Sequence, residues 1–196
     1  AATDKNGFSA HTVPAEVELK VGIAPGPGSA IDDTIATIPV TLEDGKKYVA
    51  IANGVLDPTA FDANPDGQMI GFRLFAIDDV RKKARFNWFV DLLAFHGATD
   101  APTVDVRVKG WPFGPLFDDL TYGEFSDYRS VLPAKYILDV TPSGDRETVV
   151  ASFVADLTGL KGGAAVVFAS GFLNPAANNN GPAFGLFAAL SNGAVV

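Results

Sequence analysis

Thr103-Val104-Asp105-Val106-Arg107-Val108 alternates valine with other residues, mostly charged, without a break. In an extended chain successive side chains point to opposite faces, so Val104, Val106 and Val108 share one face and Asp105 and Arg107 the other. A half-buried antiparallel strand requires this pattern, one face on a core and one in water. Glu16-Val17-Glu18-Leu19-Lys20-Val21 repeats it with Val17, Leu19 and Val21. Lys135-Tyr136-Ile137-Leu138-Asp139-Val140 is a third strand, closed by the turn residues Thr141-Pro142-Ser143-Gly144. The uncharged runs Tyr48 to Ala52 and Ala164 to Ala169 read as central strands covered on both faces. Only Asp78 to Ala84 leans towards helix, and it is too short for more than a turn. The 20 Gly and 13 Pro punctuate the whole chain instead of gathering in one linker. The fold class this predicts is all-β, a sandwich.

The chain has 196 residues, enough to bury a real core as one large domain or two small ones. With 15 Lys plus Arg against 23 Asp plus Glu, the net charge of −8 argues against nucleic acid as a partner. At 47% hydrophobic and 19% charged, the composition is that of a folded protein. Gly, Pro and Asn interrupt every long uncharged run, so no membrane-spanning helix is expected. There is no Cys, hence no disulfide, thiol nucleophile or Cys-ligated metal. Ala1-Ala2-Thr3-Asp4 carries no basic segment followed by an apolar one, and an export signal is expected to have been removed. No Asn-x-Ser/Thr acceptor is present.

The chain repeats itself. Phe8-Ser9 followed by Val13-Pro14-Ala15 matches Phe125-Ser126 followed by Val131-Leu132-Pro133-Ala134, and the strands after each Pro-Ala align without a gap. Gly54-Val55-Leu56-Asp57-Pro58 matches Gly171-Phe172-Leu173-Asn174-Pro175, and Phe72-Arg73-Leu74-Phe75-Ala76 matches Phe184-Gly185-Leu186-Phe187-Ala188. The second copy also has strands near Phe89 to Phe95 and over Thr103 to Val108, for which the seven residues before Phe8 leave no room. The expectation is about seven strands in the second copy and about five in the first. A sandwich so shortened exposes core and unpaired backbone, which the other unit, a neighbouring subunit's strand or a rearranged sheet must cover.

The segment His96-Gly97-Ala98-Thr99-Asp100-Ala101-Pro102-Thr103-Val104-Asp105-Val106 resembles the opening signature of a bacterial exported family, the domain of unknown function 4397 family. Leu132-Pro133-Ala134-Lys135-Tyr136 and Val140-Thr141-Pro142-Ser143-Gly144 resemble its middle strand and turn. The resemblance covers residues 88 to 194 and, through the repeat, extends more weakly to 8 to 77. It implies immunoglobulin-like β-sandwiches in tandem, on secreted or surface proteins, with His96, Asp100, Pro102 and Asp105 as signature residues. The family has no established catalytic activity, so no active site is carried over. The organisation expected is an incomplete β-sandwich over residues 1–84, lacking its first two strands, and a complete one over 85–196.

His96, Asp100 and Asp105 are the only cluster suited to acid–base work, and no nucleophile or second carboxylate is specified beside them. Their structural reading is a strand-to-strand corner, with Asp100-Ala101-Pro102 as a turn. His11, the other histidine, is too remote in sequence to argue for zinc. Asp62-Ala63-Asn64-Pro65-Asp66-Gly67 matches the first half of a calcium loop, with Asp62, Asn64 and Asp66 as candidate ligands. Against this, Arg73 stands where the loop's bidentate Glu belongs, and the counterpart Asn178-Asn179-Asn180-Gly181 has no carboxylate. A polar Asx-rich turn is the default. Trp88, Trp111, Tyr122 and Tyr128 could stack on sugars, Trp111-Pro112-Phe113-Gly114-Pro115 best of all, or could cover the sandwich end. Gly26-Pro27-Gly28 sits in a hairpin-like turn and lacks the Lys and helix of a phosphate loop. No enzyme motif and no cofactor beyond calcium is called for.

From Gly162 to Val196, 35 consecutive residues carry no charge, whereas the matching Lys46 to Asp79 is well charged. Phe168, Phe172, Phe184, Phe187 and Leu190 are many large apolar groups for one small core, and a subunit contact is expected there. An unfinished unit and an apolar face together point to head-to-tail association by strand addition, with Ala1 to Gly7 or Ser191 to Val196 as exchanged segments. The functional expectation is an extracellular, non-enzymatic structural subunit that self-assembles into a filament or surface layer. The alternative is a monomeric cell-surface adhesion module for glycan or calcium.

Overall fold

The computed structural model describes residues 11–24, 33–191 and 193–196. Phe8-Ser9, Gly26-Pro27-Gly28 and the expected exchanged segment Ala1 to Gly7 lie outside the described residues, as does one residue of the tail. The described chain is all-β: β1 (Glu18–Ile23), β2 (Ala36–Thr41), β3 (Val49–Asn53), β4 (Arg73–Ile77), β5 (Val90–His96), β6 (Val104–Val108), β7 (Phe117–Leu120), β8 (Arg129–Val131), β9 (Lys135–Pro142), β10 (Ala151–Asp156), β11 (Ala164–Ser170) and β12 (Gly185–Leu190). Among the described residues, no helix is long and apolar enough to cross a membrane. The helix-leaning stretch after Asp78 is irregular, with bends and no helix.

Two four-stranded sheets, ordered β10-β9-β6-β7 and β12-β11-β5-β8, face each other as a sandwich. All pairings are antiparallel except β11 on β5, where Phe168 lies opposite Phe95. The alternation of β6 places its valines as expected, but its other face is not in water, since Asp105 is buried and Arg107 half-buried. Val104, Val106 and Val108 enter the core with Val90, Leu92 and Ala94 of β5, Leu138 and Val140 of β9, and Ala165 and Val167 of β11. Each large side chain so buried contributes about 1.5–3 kcal/mol before the cost of ordering it.

Every residue of β5 is buried, because its second face does not meet water either. The β3–β4 ribbon lies over it. Val49 joins Leu93, Val166 and Ala189 in a second apolar cluster, against which Ile51, Ile77 and Phe168 pack. Phe75 of β4 sits 5.2 Å from Phe95 of β5, centroid to centroid. The ribbon is thus a third layer on the outer face of the β12-β11-β5-β8 sheet.

The repeat expected from sequence is visible in the backbone. Each of β3 and β11 is followed by a glycine at positive φ, Gly54 at 104° and Gly171 at 84°. Each then runs into a 3-10 turn, Pro58–Ala60 or Pro175–Ala177, and both copies make a parallel bridge, Val55 to Gly71 and Phe172 to Ala183. The strand counts differ from expectation. Residues 85–196 supply eight strands, and residues before 85 supply four among those described, as two separate two-stranded sheets, β1-β2 and β3-β4. Among the described residues, the first copy therefore has no counterpart of β5, β6 and β8, nor of the further strand β7. The additional strand escaped the sequence reading because Asp118-Asp119 and a register shift against β6 break its alternation. The expectation that Tyr48 to Ala52 forms a doubly covered central strand is also corrected. Ala50 and Ala52 of β3 are exposed, since β3 pairs only with β4 and is covered on one face.

Candidate functional site

The signature residues build a corner that gathers loops from both halves of the chain. His96 ends β5 almost fully buried. Its Nε2 lies 3.0 Å from the Pro102 carbonyl oxygen, and its Nδ1 accepts from the Ala98 N–H at 3.3 Å. This pairing fixes the neutral tautomer with the proton on Nε2. Burial pushes the imidazole below its ordinary range, outweighing the Pro102 carbonyl and the charge of Asp66. Both ring nitrogens are in use, so neither is poised to take a proton from a substrate.

Asp100 does not join His96. Its carboxylate accepts from the backbone N–H groups of Leu173 and Asn174, both at 2.9 Å, and from the Asn178 side chain at 3.0 Å. Asp105 lies apart on β6, fully buried, bound to Arg107 at 2.6 Å and accepting from the Asp119 N–H at 3.0 Å. Its carboxylate, with those of Asp118 and Asp119, forms a compact acidic group whose charge Arg107 partly neutralises. The Asp118 carboxyl is pushed up by desolvation, then by its two acidic neighbours. The three residues expected to form one cluster thus serve three different junctions.

The Asp62 to Gly67 turn plugs into the same corner. The buried Asn64 donates through Nδ2 to the carbonyls of Thr99 and Ala101, both at 2.9 Å. Its Oδ1 accepts from the N–H groups of Asp66 at 3.0 Å and Gln68 at 3.3 Å. One Asp66 oxygen accepts from the Thr103 N–H at 2.5 Å and the Thr103 hydroxyl at 2.8 Å. Asp62 is exposed and donates its own N–H to Asn178. Of the three candidate calcium ligands Asp62, Asn64 and Asp66, the geometry thus engages Asn64 and Asp66 within the chain, in keeping with the Asx-rich turn taken as the default. Both lone pairs of Asn64 Oδ1 are taken by backbone donors, and the turn is a docking element. Millimolar calcium should leave the melting temperature unchanged, whereas Asn64→Ala should cost about 2–4 kcal/mol in urea unfolding. A calcium-induced rise in melting temperature would contradict the assignment.

The apolar residues expected at a subunit contact are mostly engaged within the chain. Phe184 and Leu190 pack against the sandwich core. Phe172 stacks on Phe61 at 5.5 Å, joining the two repeat loops. Phe168 lies in the cluster under β3 and β4 and stacks on Phe187 at 5.6 Å. Phe187 alone is classed as exposed, at 40%. The cover expected from a neighbouring subunit is, for much of this uncharged face, the chain's own β3–β4 ribbon.

What stays open is elsewhere. By the repeat, Ala50 and Ala52 of β3 correspond to Val167 and Ala169 of β11, and Ala76 of β4 to Ala188 of β12. In the sandwich those positions look into the core; on the ribbon Ala50, Ala52 and Ala76 are exposed. Leu19 and Val21 of β1 correspond likewise to the core residues Leu138 and Val140 of β9. Leu19, Val21, Ile23, Ile38 and Val40 line one face of the β1–β2 ribbon, are only half-buried, and join none of the apolar clusters among the described residues. The edge of β9 that β6 occupies has its counterpart on β1, where no strand pairs among the described residues.

Among the buried polar residues missed in the sequence, Asp91 gathers the most donors. Asp91, fully buried on β5, accepts from Arg81 at 2.7 Å, the Arg85 N–H at 2.9 Å and the Ser130 hydroxyl at 2.6 Å. A lone carboxylate inside Phe89-Val90-Asp91-Leu92-Leu93 was the available signal. No protein-family model matches the chain, and no curated protein or solved structure matches it.

Proposed function

We propose that this protein is a non-enzymatic structural subunit that works outside the cell and self-assembles by strand addition at the β1–β2 ribbon. The observation that carries the reading is the pair of open faces in the first copy. Positions that form a core in the second copy are exposed on the β3–β4 ribbon and only half-buried on the β1–β2 ribbon. A two-stranded ribbon alone in water is marginal, and an unpaired edge beside an apolar face is a template for another strand. A second copy that pairs with β1 as β6 pairs with β9 would satisfy edge and face together. Because donor and acceptor surfaces differ, such contacts run head to tail and extend into a fibre unless the rotation closes.

Light scattering over a concentration series tests it. The mass of the wild-type chain should rise with concentration. Val21→Lys or Ile38→Lys, facing each other across the ribbon, should hold it at the monomer without changing the melting of the sandwich. A wild-type chain that stays monomeric at every concentration would overturn the proposal.

A further inference from the structure

The outer face of the β10-β9-β6-β7 sheet carries a groove of about 310 Å³ between the turn after β6 and the loop after β9. Its floor includes Arg107, Asp139 and Thr141, and its walls include Lys109, Trp111, Phe113 and Arg146. Trp111 and Phe113 are 40% and 76% exposed, which is costly for large rings with nothing to cover them. Trp111 is nonetheless held in place, edge-to-face with Tyr136 at 6.0 Å and with Phe113 at 6.3 Å. Besides Arg107, which is paired with Asp105, two cations and one carboxylate line the groove. Lys109 and Arg146 have no ion-pair partner among the described residues. One Asp139 oxygen accepts from Ser152 at 2.5 Å, and the other is not engaged. Arg107 Nε and Thr141 Oγ1 are buried without hydrogen-bond partners. Such atoms are uncommon in folded proteins, and both belong to residues lining this groove.

We propose that the groove binds an oligosaccharide bearing uronic acid carboxylates. The C–H faces of a pyranose stack on Trp111 and Phe113. The carboxylates pair with Arg146 and Lys109, with charge-assisted bonds that a neutral sugar cannot make. Asp139 accepts from ring hydroxyls. The polar floor disfavours a purely apolar ligand. The site lies on the sandwich and does not involve β1 or β2, so it stands apart from the assembly proposal.

Titration calorimetry of the full chain with a galacturonate oligosaccharide, against the galactose oligosaccharide of equal length, tests the inference. Only the acidic sugar should bind, more weakly as salt is raised. Trp111→Ala and Arg146→Gln should each weaken binding about tenfold with unchanged melting temperature. Trp88→Ala, another exposed tryptophan outside the groove, should bind as wild type. Absence of heat with the acidic sugar, equal binding of the neutral one, or an equal loss in Trp88→Ala would each overturn it.

Discussion

Replacing Asp91 with alanine should lower the stability of the fold by about 3–5 kcal/mol, measured by urea unfolding at neutral pH. The side chain is fully buried and gathers three donors from two parts of the chain: the Arg81 guanidinium and the Arg85 N–H of the segment after β4, and the Ser130 hydroxyl of β8. Truncation leaves all three without their acceptor, and the desolvation already spent on them is not recovered. Arg81 also lies over the Tyr128 ring, 4.3 Å from its centroid, and its N–H bonds the Tyr128 hydroxyl at 2.8 Å. Loss of Asp91 therefore loosens the segment that carries β4 onto the sandwich. The acid dependence has a defined sign. Burial raises the Asp91 pKa, but the bonds from Ser130, Arg85 and Arg81 together outweigh it and hold the carboxyl below its usual range. The unfolded chain then binds the extra proton, so this contribution is complete above about pH 4 and fades as pH falls through the folded-state value. Asp91→Asn should flatten that acid limb. An Asp91→Ala chain as stable as wild type would contradict the account.

Gly171→Ala should cost a further large amount, about 3–4 kcal/mol, for backbone reasons alone. Its φ of 84° disfavours any residue with a Cβ, and a Cβ there would meet the Ala183 carbonyl oxygen at 2.3 Å and that of Pro182 at 2.9 Å. Those carbonyls belong to the bridge in which Phe172 donates to Pro182 at 2.9 Å and Phe184 donates to Phe172 at 2.8 Å. Relief of the clash requires parting that bridge and moving Phe172 off Phe61. Gly144→Ala supplies the comparison. Its φ is 73° with nothing within 4 Å, so only the conformational cost of about 1–2 kcal/mol is expected. Equal losses at the two sites would show that the close approach at Gly171 contributes nothing.

The legible parts of the fold were those written in a short period or a backbone requirement. Val104, Val106 and Val108 declared their face because the strand period is two, and Leu19 and Val21 did the same. The paired Gly-x-Leu-Asx-Pro motifs announced a repeat because a positive φ followed by a 3-10 turn restricts the residues allowed. What the sequence could not hold was the relation between faces. The uncharged surface around Phe168 plainly needed a cover, but that the cover was Ile51 and Ile77 of the same chain depends on back-to-back stacking of two sheets. The Asp62 to Gly67 turn left two readings open for a chemical reason. Alternating oxygens before a glycine serve a cation and an Asx turn equally, and only the bonds of Asn64 to Thr99 and Ala101 separate them. Trp111 gave half of its groove in sequence; Asp139 and Arg146 come from β9 and the loop after it, too distant in the chain to be joined to it by reading.

Amide hydrogen exchange across β1, followed from dilute to concentrated protein, addresses the proposed assembly most directly. The β1 N–H groups that face away from β2 should exchange freely in dilute solution and become protected as mass increases, while β9 stays protected throughout. Particles that grow with the β1 amides still exchanging at the dilute rate, or a chain that never grows, would contradict strand addition at this edge.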